Sequence, residues 1–143
     1  MSGVLFKSEH RGWQQDQMSW VLSNYGITEV WRQESESSTD ATIYQSSVLV
    51  ETANDLPTDR ELVVLSPPDA RFIQGTQSID GFVHPENPIY MVGGSQEVIS
   101  DEDFGGRVPD AVVYIPTVKL EMYAFAALYH VLFHRRLQRG AFD

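Results

Sequence analysis

The chain has 143 residues, 42% of them apolar, which is enough for one hydrophobic core. It has no cysteine, which excludes disulfides and thiolate metal sites, and no apolar run of the roughly 18 residues that a membrane helix needs. Twenty acidic against ten basic residues give a formal net charge of −10, which argues against a broad basic field for nucleic acid but allows a local one.

Gly3–Phe6 reads as a short buried strand, followed by a polar loop, Lys7–Trp13. The segment before residue 8 lacks the charged-then-apolar plan of a signal peptide, so a cytoplasmic location is expected. Over Gln14–Tyr25 the apolar residues Met18, Val21, Leu22 and Tyr25 recur at the three-and-four spacing of an amphipathic helix. Gly26 then offers a left-handed cap, and Ile27–Trp31 forms the next strand. Strand, helix, glycine and strand in that order make a βαβ unit, which predicts a parallel sheet.

Arg32–Asp40 is polar and reads as a surface loop. Ala41–Thr52 is β-branched enough for a strand, though a short helix also fits. Asp55–Asp59 is a turn or a short helix start. Glu61–Leu65 is a clear buried strand stopped by Ser66-Pro67-Pro68. Gln77–His84 fits a short helix or turn. Pro88–Val92 and Ala111–Ile115 are the last strands, and Val118–Leu137 is a closing helix. No repeat or long linker divides the chain, so residues 1–143 are expected to form one α/β domain with a mostly parallel sheet.

Two strands end in loops suited to a ligand. Ile89-Tyr90-Met91-Val92 runs directly into Gly93-Gly94, where glycine permits close backbone approach. Ile115-Pro116-Thr117 follows the next strand, and proline fixes the directions of the remaining polar groups. In an open α/β sheet, loops meeting at the carboxyl edge are where small molecules bind. Leu65 and Ser66, from a third strand end, belong to the same candidate pocket. Read without the loops' convergence, each is a plain αβ turn.

The order of these elements and turns resembles the SpoU family of SPOUT RNA methyltransferases. The residues that carry the likeness are Tyr90-Met91-Val92-Gly93-Gly94-Ser95, Ile99–Phe104, and Val113-Tyr114-Ile115-Pro116, with Leu120 beyond. His84-Pro85-Glu86 and the Gly26 plan of the amino-terminal half also agree. The resemblance covers nearly the whole chain, more strongly from Glu61 onward. It implies a C-terminal trefoil knot, S-adenosylmethionine as cofactor, a homodimer, and RNA as substrate. The transfer it implies is of a methyl group to a tRNA or rRNA ribose 2′-hydroxyl. The cofactor cradle it implies is Leu65, Ser66, Val92, Gly93, Gly94, Ile115, Pro116 and Leu120.

The motif positions that carry chemistry depart from the family. Gln17 and Trp20 stand where an Asn and an Arg are expected in the first helix. Ser95 replaces a Glu, and Lys119 and Glu121 replace a Ser and an Asn. The nearest substitutes are Glu9, His10 and Arg11: His10 could accept a proton and Arg11 could clamp a phosphate. The same three residues also read as a solvated loop. Arg135, Arg136 and Arg139 are a candidate RNA contact, or simply cations complementing a helix carboxyl end. His130 and His134 share a helix face, but no third ligand stands at metal-binding spacing, so no metal is expected. The rival to an active enzyme is a catalytically inactive SPOUT-like dimer that binds or scaffolds.

Overall fold

The computed structural model describes residues 1–7, 13–33, 47–66, 76–93, 99–117 and 123–140. Seven strands form one sheet: β1 (Gly3–Phe6), β2 (Glu29–Gln33), β3 (Val48–Val50), β4 (Glu61–Leu65), β5 (Gln77–Ser78), β6 (Pro88–Val92) and β7 (Ala111–Tyr114). Their order is β3-β2-β1-β6-β4-β7-β5, and every pairing is parallel. The two α-helices are α1 (Trp13–Asn24) and α2 (Ala124–Arg139).

The central strands are apolar along their length because both faces are covered. β6 is buried at all five positions, and β4 at all but Glu61. On one face Val4, Phe6, Val63, Tyr90, Val92 and Val113 pack against Met18, Val21 and Leu22 of α1 and Leu128, Val131 and Leu132 of α2. On the other face Leu5, Leu62, Val64, Ile89 and Met91 pack against Ala53, Leu56, Ile99 and Phe104, which come from 3₁₀ turns and loops.

The parallel sheet, the βαβ opening and the Gly26 cap match the sequence reading. Gly26 has φ of 66°, and Ile27 N–H donates to the Leu22 carbonyl across it at 2.9 Å. Several boundaries differ; among the described residues β3 is the short strand Val48–Val50, and α1 and β7 each end one residue earlier than expected. β2 runs two residues later than expected, so Arg32 and Gln33 are strand residues instead of loop residues. Gln77–Gly81 splits into a two-residue strand and a 3₁₀ turn capped by Ser78. The closing helix starts at Ala124, because Tyr123 is extended, and it continues to Arg139 with Gly140 as its left-handed cap. Residues 118–122 of the expected helix lie outside the described residues. Residues 67–75, 94–98 and 118–122, which follow β4, β6 and β7 in the chain, also lie outside them.

The amino edge of the sheet is a polar anchor. Arg135 is buried, 2% exposed, and donates through both terminal nitrogens to the carbonyls of Pro85 and Glu86. Gln138 donates to the Phe82 carbonyl at 2.8 Å and accepts from His84 N–H at 2.7 Å. The His84 ring bridges Tyr90 Oη at 2.6 Å and His134 Nδ1 at 2.8 Å. A neutral imidazole suits this place, with one ring nitrogen donating and the other accepting. Burial, reinforced by the positive fields of His134, Arg135 and Arg139, lowers the His84 pKa to about 3.

That shift has a definite sign. Between about pH 3 and the ordinary 6.5, unfolded His84 takes a proton that native His84 does not. Its contribution to stability is complete above the upper value and is lost as pH falls toward the lower one. Urea unfolding from pH 7 downward should show that His84→Gln loses about 2 kcal/mol at neutral pH. The variant should also show a shallower loss of stability on acidification than the parent chain.

Candidate functional site

All strands run the same way, so their carboxyl ends meet at one edge. The register there is tight: Phe6 stands opposite Arg32 on one side and Val92 on the other, while Leu65 stands opposite Val113. Two amides tie the strand ends just beyond. Lys7 N–H donates to the Val92 carbonyl at 2.9 Å, and Ser66 N–H donates to the Val113 carbonyl at 2.9 Å. The continuation of each strand past its last pair is thereby fixed.

Leu65, Ser66, Val92, Gly93, Ile115 and Pro116 all fall at this edge, on the adjacent strands β6, β4 and β7. Leu65, Val92 and Ile115 are buried at 8%, 1% and 8% exposure and offer an apolar floor. Gly93, Ser66 and Pro116 sit one residue further out, and Gly93 and Ser66 are half-buried. Gly94 and Leu120, and the candidates Glu9, His10 and Arg11, lie outside the described residues.

On the β1–β2 side the edge carries a charge cluster the sequence did not disclose. Lys7 Nζ lies 3.0 Å from Asp103 Oδ2, with both side chains largely buried. The same carboxylate accepts from Ser100 N–H at 2.7 Å and from Gln33 Nε2 at 3.3 Å. Asp103 therefore joins the ends of β1 and β2 to the 3₁₀ turn Asp101–Phe104, which follows the Gly93 loop in the chain. Its charge is matched by Lys7, the Ser100 amide and hydroxyl, and Gln33, the condition under which a buried ion pair holds. The only sequence sign of it is the Ser-x-x-Asp spacing of a capping box over Ser100–Asp103.

The cations at the end of α2 are placed differently from the sequence expectation. Arg135 is not available to RNA: it is buried and committed to the Pro85 and Glu86 carbonyls. Those residues precede β6, so α2 ends at the amino edge, across the sheet from Gly93 and Ile115. Arg136 is half-buried and Arg139 exposed at that same end. The helix dipole and the exposed carbonyls of 85–86 explain why an arginine is needed there. His134 is also engaged, with His84 across the sheet and not with His130 along the helix. Trp20 is 56% exposed and stacks on Tyr129 of α2, with rings 16° apart and centroids 6.2 Å apart.

No protein-family model matches the sequence, and no curated protein does. Solved structures do. The SpoU methyltransferase AviRb from Streptomyces viridochromogenes superposes with a TM-score of 0.71 at 15% identity, covering 100% of this chain and 62% of that one. Its complex with the cofactor AdoMet gives 0.73 at 16%, covering 96% and 57%. TrmJ from Z. mobilis ZM4 gives 0.74 at 8%, covering 94% and 68%. A protein solved to explain 2-OH methylation of C/U34 on tRNA gives 0.66 at 14%, covering 97% and 95%. The chain thus spans about three-fifths of the length of AviRb and nearly all of the tRNA-modifying protein. At these identities the likeness establishes the fold: this is the α/β architecture of SpoU-type methyltransferases.

The Asp103 cluster generates a direct prediction. Asp103→Asn keeps the shape but leaves the Lys7 ammonium without its counter-charge. Stability should fall by about 2 kcal/mol in urea. Hydrogen exchange should accelerate at the Ser100 amide and stay unchanged at the amino edge.

Proposed function

We propose that the chain is an S-adenosylmethionine-dependent RNA methyltransferase acting on a ribose 2′-hydroxyl of tRNA or rRNA, in a knotted, homodimeric SPOUT-type domain. The observation that supports it most is the row of strand ends Leu65-Ser66, Val92-Gly93 and Ile115-Pro116 at one edge of a sheet with the SpoU fold.

These residues suit an adenosine-bearing cofactor. The apolar floor of Leu65, Val92 and Ile115 accommodates a flat base, while Gly93 lets backbone polar groups reach its edge without a side chain between. Ser66 brings a hydroxyl, and Pro116 holds its turn with no amide to leave unpaired. Gly94 and Leu120 complete the cradle in this reading. When bound, S-adenosylmethionine supplies an electrophilic methyl group. The chain must then align the ribose oxygen and remove its proton. His10 takes the proton, Arg11 holds a neighbouring phosphate, and Glu9 orients that pair. In water the guanidinium stays protonated, so Arg11 serves as a clamp and not as a base.

The dimer reading has its own support. Trp13, Trp20, Tyr123, Tyr129, Phe133 and Leu137 are each more than 40% exposed and form an aromatic band along α1 and α2. Within it Trp13 meets Tyr123 edge-on at 5.0 Å, and Trp20 stacks on Tyr129 at 6.2 Å. A band of this size on so small a domain fits a subunit interface. Phe125 is a poor probe of it, since its ring packs against the monomer core.

Calorimetric titration with S-adenosylhomocysteine tests the cofactor assignment. Saturable binding is expected, with Gly93→Val weakening it by about a hundredfold while the circular dichroism stays native. Tight binding without transfer to any cellular RNA would favour the inactive-module reading, and absence of binding would remove the cofactor from the account. By light scattering the protein should be a dimer at micromolar concentration, and Phe133→Glu should yield a folded monomer.

A further inference from the structure

Native proteins leave few buried polar atoms without a partner, and each exception calls for an explanation. Among the described residues three such side-chain atoms occur: Gln14 Oε1, Arg32 Nε and Gln33 Oε1. All three fall toward the carboxyl edge. Gln14 is in the first turn of α1, which leads back from that edge, and Arg32 and Gln33 are the last two residues of β2. The amino edge shows the opposite behaviour, with its polar side chains bonded to backbone carbonyls and to each other.

Arg32 is the unusual member. The other arginines with large buried portions are occupied. Arg60 pairs with Glu29 at 2.8 Å and donates to the carbonyls of Met1, Asn87 and Pro88. Arg107 donates to those of Ala53, Pro57 and Arg60, and Arg135 to those of Pro85 and Glu86. Arg32 is half-buried and, among the described residues, has neither an ion pair nor a hydrogen bond for its Nε. In a chain with twice as many acids as bases, a cation left unmatched in this way is costly.

Its position gives that cost a use. Arg32, Phe6 and Val92 stand in one row of the sheet, and Phe6 and Val92 face the two helices, so Arg32 faces the same side. Two strand spacings, roughly 10 Å, separate Arg32 from Val92 and the start of the Gly93 loop. α1 begins at this edge, so its positive end adds to the field there, partly offset by Asp16 in its first turn. A guanidinium with a free, desolvated Nε–H suits a phosphate oxygen. Gln14 Oε1 offers the matching acceptor for a hydroxyl.

We propose that Arg32 is a second substrate-holding cation of this site, beside Arg11, binding a backbone phosphate of the RNA about 10 Å from the cofactor loop. This rests on the RNA methyltransferase reading above. It moves the phosphate contact from the arginines of α2, which lie across the sheet, to the edge where the ligand loops emerge.

The test compares the full chain with Arg32→Gln and Arg32→Lys, using unfractionated tRNA in fluorescence-anisotropy competition at several salt concentrations. Thermal unfolding and S-adenosylhomocysteine calorimetry accompany it. Arg32→Gln should bind tRNA about tenfold more weakly, with the salt slope reduced by about one. Arg32→Lys should recover part of the loss. Cofactor affinity should not move and the melting temperature should not fall, because Arg32 Nε holds no protein partner to lose. Unchanged tRNA affinity and slope in Arg32→Gln would overturn the assignment while leaving the methyltransferase reading intact. So would a fall in melting temperature that accounts for the lost binding. If the parent chain binds no tRNA, the RNA reading fails, and inorganic phosphate decides the site. Phosphorus NMR broadening present in the parent and absent in Arg32→Gln would sustain an anion site, and no broadening in the parent would overturn it.

Discussion

A sheet whose strands all run in one direction cannot join neighbours by tight hairpins. Every connection must cross a face and return to the starting edge. In this chain that constraint separates two jobs. Connections that need to be short and rigid gather at the amino edge, where His84, Arg135 and Gln138 fasten the end of α2 to residues 82–86. Strand ends released from that task gather at the carboxyl edge. There β1, β6, β4 and β7 finish side by side.

Electrostatics follow the same division. Arg60, Arg107 and Arg135 are consumed in solvating backbone carbonyls, which is how a chain of net charge −10 uses scarce cations to close loops. Among the described residues, what remains at the carboxyl edge is sparser: the Lys7–Asp103 pair, braced by Ser100 and Gln33, and the unmatched Arg32. A strongly acidic protein can still hold an anionic substrate if one or two cations are kept free where low-dielectric surroundings strengthen them. The alternative, a diffuse basic surface, is closed to this composition.

The parts of the fold set by periodicity were legible in the sequence. Runs such as Leu62-Val63-Val64-Leu65 and Ile89-Tyr90-Met91-Val92 read as strands buried on both faces, and the βαβ order of the amino-terminal half pointed to a parallel sheet. The Gly26 cap was readable because only a left-handed turn joins α1 to β2 at that spacing. The functional side chains were harder, since they depend on contacts across the fold. Ending β2 at Trp31 put Arg32 and Gln33 in a loop, although pairing with β1 and β3 carries the strand through both. Histidines four apart on α2 share a face with no third ligand at metal spacing, and nothing local showed that the partner of His134 is His84, fifty residues away and just before β6. Arg135 looked like part of a cationic tail because burial at a helix end is decided by what the helix lies against.

The central claim is that the carboxyl edge receives the ligand and the amino edge is an anchor. A crystal structure grown with S-adenosylhomocysteine tests it most directly. The account predicts nucleoside density over Leu65 and Ile115, against the backbone at Gly93, with the His84–His134–Arg135 region unchanged. Density at the amino edge, or a saturated crystal with the carboxyl edge empty, would contradict it.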